Sequence, residues 1–144
     1  MPKIRVAGWK TEHGRSEYLA AYDAAMALWP VAFESRHVET RFGSTHVIVS
    51  GRNNAEPLLA LHAATGFGAT QWYPNAATIS AHNQVFAADF IGSAGKGRQT
   101  ASLLSRSDCA NWVADVMDAL QLERAHLIGS SQGGWLALNF ALQC

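Results

Sequence analysis

The sequence predicts one α/β domain in which an antiparallel hairpin is followed by three parallel strands with flanking helices, after an N-terminal helical extension. Three observations carry this reading. Leu58-Leu59-Ala60-Leu61, Val85-Phe86-Ala87-Ala88 and Ala125-His126-Leu127-Ile128 are short, nearly continuous apolar runs, the pattern of strands covered on both faces. Helical periodicity separates them, so the strands connect through right-handed crossovers into a parallel sheet. Ahead of them, residues 38–50 alternate apolar and polar side chains around Gly43-Ser44, as antiparallel strands do. The 144 residues hold no repeat or linker and suffice for a single domain, 1–144.

In chain order, Tyr18, Tyr22, Met26 and Trp29 share one helical stripe, which predicts a helix over about 16–29 with Ser16 as N-cap and Pro30 ending it. Val38, Thr40 and Phe42 alternate with Glu39 and Arg41. Gly43-Ser44 is then the expected two-residue turn, and Thr45 to Ser50 the returning strand. A helix is expected around 71–81. A stronger one runs from Ser107 or Asp108 to about Leu120, where Trp112, Val113, Val116, Met117 and Leu120 oppose Asn111, Asp115 and Asp118. Between the second and third parallel strands, Ile91 to Arg106 forms a long glycine-bearing loop at the carboxyl end of the sheet, where open α/β sheets place ligands.

Charge and cysteine usage exclude several classes. Eleven basic residues balance eleven acidic ones, so no basic field invites nucleic acid. Cys109 and Cys144 lie far apart, which fits neither a disulfide framework nor a zinc site, and a reducing compartment is the simplest setting. No signal-peptide core or membrane-length apolar run is present, so the expectation is a soluble cytoplasmic protein. Gly92-Ser93-Ala94-Gly95-Lys96-Gly97 lacks the order of a phosphate loop, and Gly66-Phe67-Gly68 lacks the third glycine of a dinucleotide fingerprint. No cofactor or metal is expected.

The informative motif follows the third parallel strand. Gly129-Ser130-Ser131-Gln132-Gly133 has the form G-x-S-x-G and, after Gly134, leads into the helix-prone stretch Trp135 to Leu142. Strand, G-x-S-x-G and helix together form the context of a nucleophile elbow, with Ser131 held on a strained turn at the top of the sheet. Glycine at 129 and 133 relieves crowding between the turn and its neighbours. Acyl transfer also needs two backbone amides for the developing oxyanion. One is expected from Gln132, the residue after the nucleophile. The other is expected from His62 to Gly68, the loop after the first parallel strand.

On these residues the chain resembles the N-terminal half of an α/β-hydrolase, close to the serine carboxylesterase-like members. The resemblance rests on the elbow, on a His-Gly-x-x-type loop matched at His62 with Ala63 where glycine is usual, on Asp89-Phe90-Ile91-Gly92 as an Asp-x-x-Gly turn, and on the opening hairpin Arg41 to Val47. It implies Ala64 as the second oxyanion donor, a loop-ordering role for His62, and a small-molecule carboxylic ester as substrate. In such enzymes the triad acid and histidine follow the serine. After Ser131 this sequence has no Asp, Glu or His, so the resemblance implies that these belong to a missing C-terminal half. The competing reading is a non-catalytic α/β remnant that binds a partner.

The remaining polar residues read as structural. Asp89 is expected to form a turn, His126 to be a satisfied core histidine, and His13, His37, His46 and His82 to lie on the surface or the hairpin. Trp72, just beyond the oxyanion loop, is the tryptophan expected nearest an acyl pocket. The strand Ala125 to Gly129 lies at an uncovered edge if the fold stops here, which invites self-association by strand pairing.

Overall fold

A computed structural model describes residues 8–144. Helix α1 spans Glu12–Met26, strand β1 Phe33–Thr40, β2 Gly43–Ser50, β3 Glu56–Leu61, α2 Gly68–His82, β4 Asn83–Ala88, β5 Arg98–Gln99, α3 Arg106–Ala119, β6 His126–Gly129 and α4 Gln132–Gln143. The sheet runs β1-β2-β4-β3-β6, with the short β5 also paired to β2. β1 and β4 are antiparallel to β2, whereas β4 and β6 flank β3 in parallel. This is the expected architecture: a hairpin joined to three parallel strands.

Several boundaries differ from expectation, each for an identifiable reason. α1 starts four residues before the expected N-cap, because the Thr11 side chain accepts the Gly14 N–H at 3.0 Å and Ser16 lies inside the helix. The hairpin turn is Arg41-Phe42, not Gly43-Ser44, since Thr40 pairs with Gly43. Thr40 Oγ1 closes that turn by donating to the Gly43 carbonyl at 2.7 Å and accepting the Phe42 N–H at 3.2 Å. Gly43 is required for a different purpose. Its φ is +124°, and a Cβ there would stand 2.1 Å from the Arg98 carbonyl oxygen, where β5 crosses. α3 starts at Arg106, capped by Ser105, with Asp108 at the third position returning a bond to the Ser105 N–H at 2.9 Å. α2 is longer than expected and carries Pro74 within it.

Helices cover both faces of the sheet, which explains the apolar runs. On one face, Val47, Val49, Leu59, Leu61, Phe86 and Ala88 pack with Trp112, Val113, Val116 and Leu136 of α3 and α4. On the other, Ile48, Ala60, Val85 and Ala87 pack with Tyr22, Met26, Trp29, Trp72 and Ala76 of the α1 and α2 layer. Alternate residues of β2 thus enter opposite layers. Each large side chain so buried stabilises the fold by roughly 1.5–3 kcal/mol relative to exposure. Polar ties align the layers: Trp112 Nε1 donates to Thr45 Oγ1 at 2.9 Å, and Asn139, 3% exposed, donates to the Arg106 carbonyl at 2.8 Å between α3 and α4. Arg41 grips Asp115 through its Nε and guanidinium nitrogen at 2.9 and 2.8 Å, fixing the hairpin turn to α3. Partial burial pushes the Asp115 carboxyl up, but the Arg41 fork outweighs it and holds the group below its ordinary value.

Candidate active site

The elbow is built by backbone crowding. β6 ends at Gly129, α4 begins at Gln132, and between them Ser131 takes φ +51° and ψ −113°. Among the described residues only Gln121 shares a positive φ without being glycine. Such a backbone costs on the order of 1–3 kcal/mol and persists only where its surroundings impose it. Here they do. A Cβ at Gly129 would lie 2.2 Å from the Gly133 carbonyl, and one at Gly133 would lie 2.0 Å from the Leu61 carbonyl oxygen. The Ser130 N–H donates to that Leu61 oxygen at 3.2 Å and the Gly133 N–H to the Ser130 oxygen at 2.9 Å, so the turn is clamped on β3. Ser131 is left exposed at its tip.

The same contact brings the elbow against the loop after β3. The Gly133 position also abuts the His62 carbonyl, so Ser131, Gln132 and the His62-Ala63-Ala64 segment occupy one end of the sheet. His62 is 1% exposed and both ring nitrogens serve the backbone: Nδ1–H donates to the Ala63 carbonyl at 2.7 Å, and Nε2 accepts the Phe90 N–H at 2.9 Å. The ring therefore orders the loop. The Gly66 N–H closes a turn on the Ala63 carbonyl at 3.0 Å, leaving Ala64 exposed at its crest. Alanine at 63 fits without strain, because its φ is not positive. The Gln132 amide is in the first turn of α4, where N–H groups have no intrahelical acceptor. Its side-chain Oε1 is buried without a donor among the described residues.

Asp89 follows β4 and is 1% exposed. Its carboxylate accepts the Gly68 N–H at the start of α2 at 2.7 Å, the Lys96 N–H at 3.0 Å, the Tyr22 hydroxyl at 2.7 Å, and His46 Nδ1 at 3.0 Å. It therefore ties α1, β2, α2 and the 89–97 segment together, while the turn that follows is closed by the Ser93 N–H on the Phe90 carbonyl at 3.1 Å and not by the Asp89 side chain. Burial, then the adjacent Asp89 charge, pushes the Tyr22 hydroxyl far above its ordinary pKa, so it remains a donor. His46 lies on the hairpin, as expected, and is fully buried there because β2 is an interior strand. His126, expected in the core, is exposed, because among the described residues β6 has only β3 as a strand neighbour. Trp72 packs beneath α2 in the sheet-facing layer and not at the elbow.

The loop Gly92–Gln99 borders a cleft of about 730 Å³ with Trp9, Arg15 and Tyr18, but none of Ser131, Gln132 or Ala64 lines it. Among the described residues no three His, Cys, Asp or Glu side chains group as metal ligands. Nor, among those residues, is any helix long and apolar enough to cross a membrane.

An elbow serine clamped on a parallel sheet beside a histidine-ordered loop defines a class of hydrolase scaffold, and comparison with known proteins agrees. The family model of the alpha/beta hydrolase fold matches residues 56–143. The chain belongs to the α/β-hydrolase fold family. It is 44% identical over 126 residues to an uncharacterized carboxylesterase, nap, of Bacillus subtilis strain 168, covering 88% of this chain and 42% of that protein. Carboxylesterase YbfK of the same strain is 43% identical over 126 residues, with the same coverage. The crystal structure of carboxylesterase CesB (YbfK) from Bacillus subtilis superposes with a TM-score of 0.89 at 41% identity, covering 92% of this chain and 46% of that one. The chain thus spans less than half the length of the curated relatives it matches.

Proposed function

We propose that this chain is the nucleophile-bearing part of a serine hydrolase acting on small carboxylic esters in the cytoplasm. Ser131 is the nucleophile, and the backbone amides of Ala64 and Gln132 receive the oxyanion. The observation that carries the reading is the backbone of Ser131, strained to φ +51° and exposed between two glycines that cannot carry a Cβ. Ser131 Oγ attacks the ester carbonyl, and its proton must pass to a general base that later protonates the leaving alcohol. No Asp, Glu or His follows Ser131 in these 144 residues, and both ring nitrogens of His62 are engaged with backbone. In the chain order of such hydrolases, nucleophile then acid then histidine, base and acid would come from residues beyond Ser131 that this span does not contain. The carboxylesterase relatives, at 43–44% identity, support the ester as substrate class.

The test compares Ser131→Ala with Ser130→Ala in a protein extended to the relatives' full length. Ser131→Ala should cut p-nitrophenyl ester hydrolysis by orders of magnitude, since only oxyanion and binding effects remain, while Ser130→Ala stays active. Retained activity in Ser131→Ala refutes the assignment. The 144-residue chain alone is expected to show no Ser131-dependent turnover. It is also expected to self-associate, because among the described residues β6 pairs only with β3, and Trp135, Leu138 and Leu142 are exposed on α4. A monodisperse monomer by light scattering refutes the association.

A further inference from the structure

A second serine, far from the elbow, sits in a complete Ser-His-Asp array. Ser35 Oγ lies 2.7 Å from His46 Nε2, and His46 Nδ1 lies 3.0 Å from Asp89 Oδ2. Histidine and aspartate side chains are 0% and 2% exposed, whereas Ser35 is exposed on β1. The order of bonds fixes the chemistry. Asp89 already accepts from the Gly68 and Lys96 backbone N–H groups and from the Tyr22 hydroxyl, so it is held as an acceptor. His46 can face it at Nδ1 only as a donor. The Tyr22 hydroxyl, 3.1 Å from the same Nδ1, gives its proton to Asp89, so Nδ1 faces the carboxylate side and Nε2 is the ring nitrogen directed at the Ser35 hydroxyl. This is the arrangement in which aspartate sets the histidine tautomer and the histidine activates a serine, and it is recognised by geometry rather than by position in a sequence.

We propose that Ser35 is a second acylatable serine of this protein, relayed through His46 to Asp89, that accepts the acyl group of activated aryl esters. In the step, Ser35 Oγ bonds to the ester carbonyl carbon and its proton moves to His46 Nε2. The carbonyl–phenoxide bond breaks, and the phenoxide leaves with that proton, giving acyl-Ser35 and a free phenol. Phe33 supports the aryl preference: two residues before Ser35 on the same face of β1, it is 37% exposed and meets Trp29 edge-on at 6.4 Å. Independence from the elbow follows from sheet order. β1 and β6 are opposite edges of the β1-β2-β4-β3-β6 path, four strand spacings or roughly 19 Å apart.

Labelling the 144-residue chain with diisopropyl fluorophosphate, followed by intact mass and peptide mapping, tests this. Ser35 Oγ would bond to phosphorus, fluoride would leave, and the proton would pass through His46. In Ser131→Ala, one adduct should form and map to Ser35; in Ser131→Ala/Ser35→Ala it should be lost. His46→Gln in the Ser131→Ala background should slow labelling at least tenfold, with circular dichroism verifying its fold. p-Nitrophenyl acetate should release one equivalent of phenolate per chain in Ser131→Ala and none in the double variant. Absence of a Ser35 adduct in folded Ser131→Ala, or equal labelling in the double variant, overturns the proposal. Loss of the Ser131 reading leaves it untouched, because every arm is scored with that serine removed.

Discussion

Replacing Gly133 by alanine puts a Cβ 2.0 Å from the Leu61 carbonyl oxygen, 2.4 Å from its carbon and 2.8 Å from the His62 oxygen. An ordinary contact begins at 3.4 Å, so the elbow and β3 must part by about 1.4 Å. All three obstacles are backbone and no side-chain rotation relieves them. Overpacking of this kind costs about 1–3 kcal/mol, and each kcal/mol lowers the melting temperature of a domain this size by roughly 4 °C. The neighbouring Gly134→Ala is the control, because its Cβ meets nothing closer than the Gly129 oxygen at 3.3 Å and lies in α4, where alanine is favoured over glycine by up to about 1 kcal/mol. Thermal unfolding should therefore rank Gly134→Ala near the parent and Gly133→Ala well below it. In a hydrolytically active, extended protein, a displacement of 1 Å or more between nucleophile and oxyanion loop should also cost about 100-fold in kcat. Equal melting temperatures for the two variants would refute the claim that the elbow is clamped on β3.

Asp89→Ala should destabilise the fold by about 3–5 kcal/mol in urea unfolding, since it leaves buried His46, Tyr22 and two backbone amides without their shared acceptor. Asn139→Ala should cost about 1–3 kcal/mol by the same measurement, through the lost bond to the Arg106 carbonyl. The Asp115 carboxyl is held below its ordinary value when folded, so its contribution is present above the unfolded carboxylate pKa and is lost as pH falls through the native one. Asp115→Asn should accordingly be less stable than the parent at neutral pH, and the two acid-unfolding curves should converge at low pH. Thr11→Ala should shorten α1 and lower stability by about 1 kcal/mol, seen as lost helical ellipticity.

The local signals were legible in the sequence wherever the physics is local. The apolar runs of β3 and β4 announce strands covered on two faces, and α3 buries the Trp112, Val113, Val116 and Met117 stripe that its periodicity foretells. Gly129 and Gly133 identify the elbow because a turn of that tightness excludes a Cβ at both places, whatever lies around it. What the sequence could not order was decided across strands. Gly43 looks like a turn residue, yet it is needed because β5, more than fifty residues later, passes against it, and the turn moves to Arg41-Phe42. The burial of His46 on its hairpin strand and the exposure of His126 follow from β2 being interior and β6 an edge, a matter of strand order that alternation alone does not encode. The placing of Ser35, His46 and Asp89 in one chain of hydrogen bonds has the same origin: these residues come from β1, β2 and the end of β4, and only the pairing register β1-β2-β4 makes them neighbours.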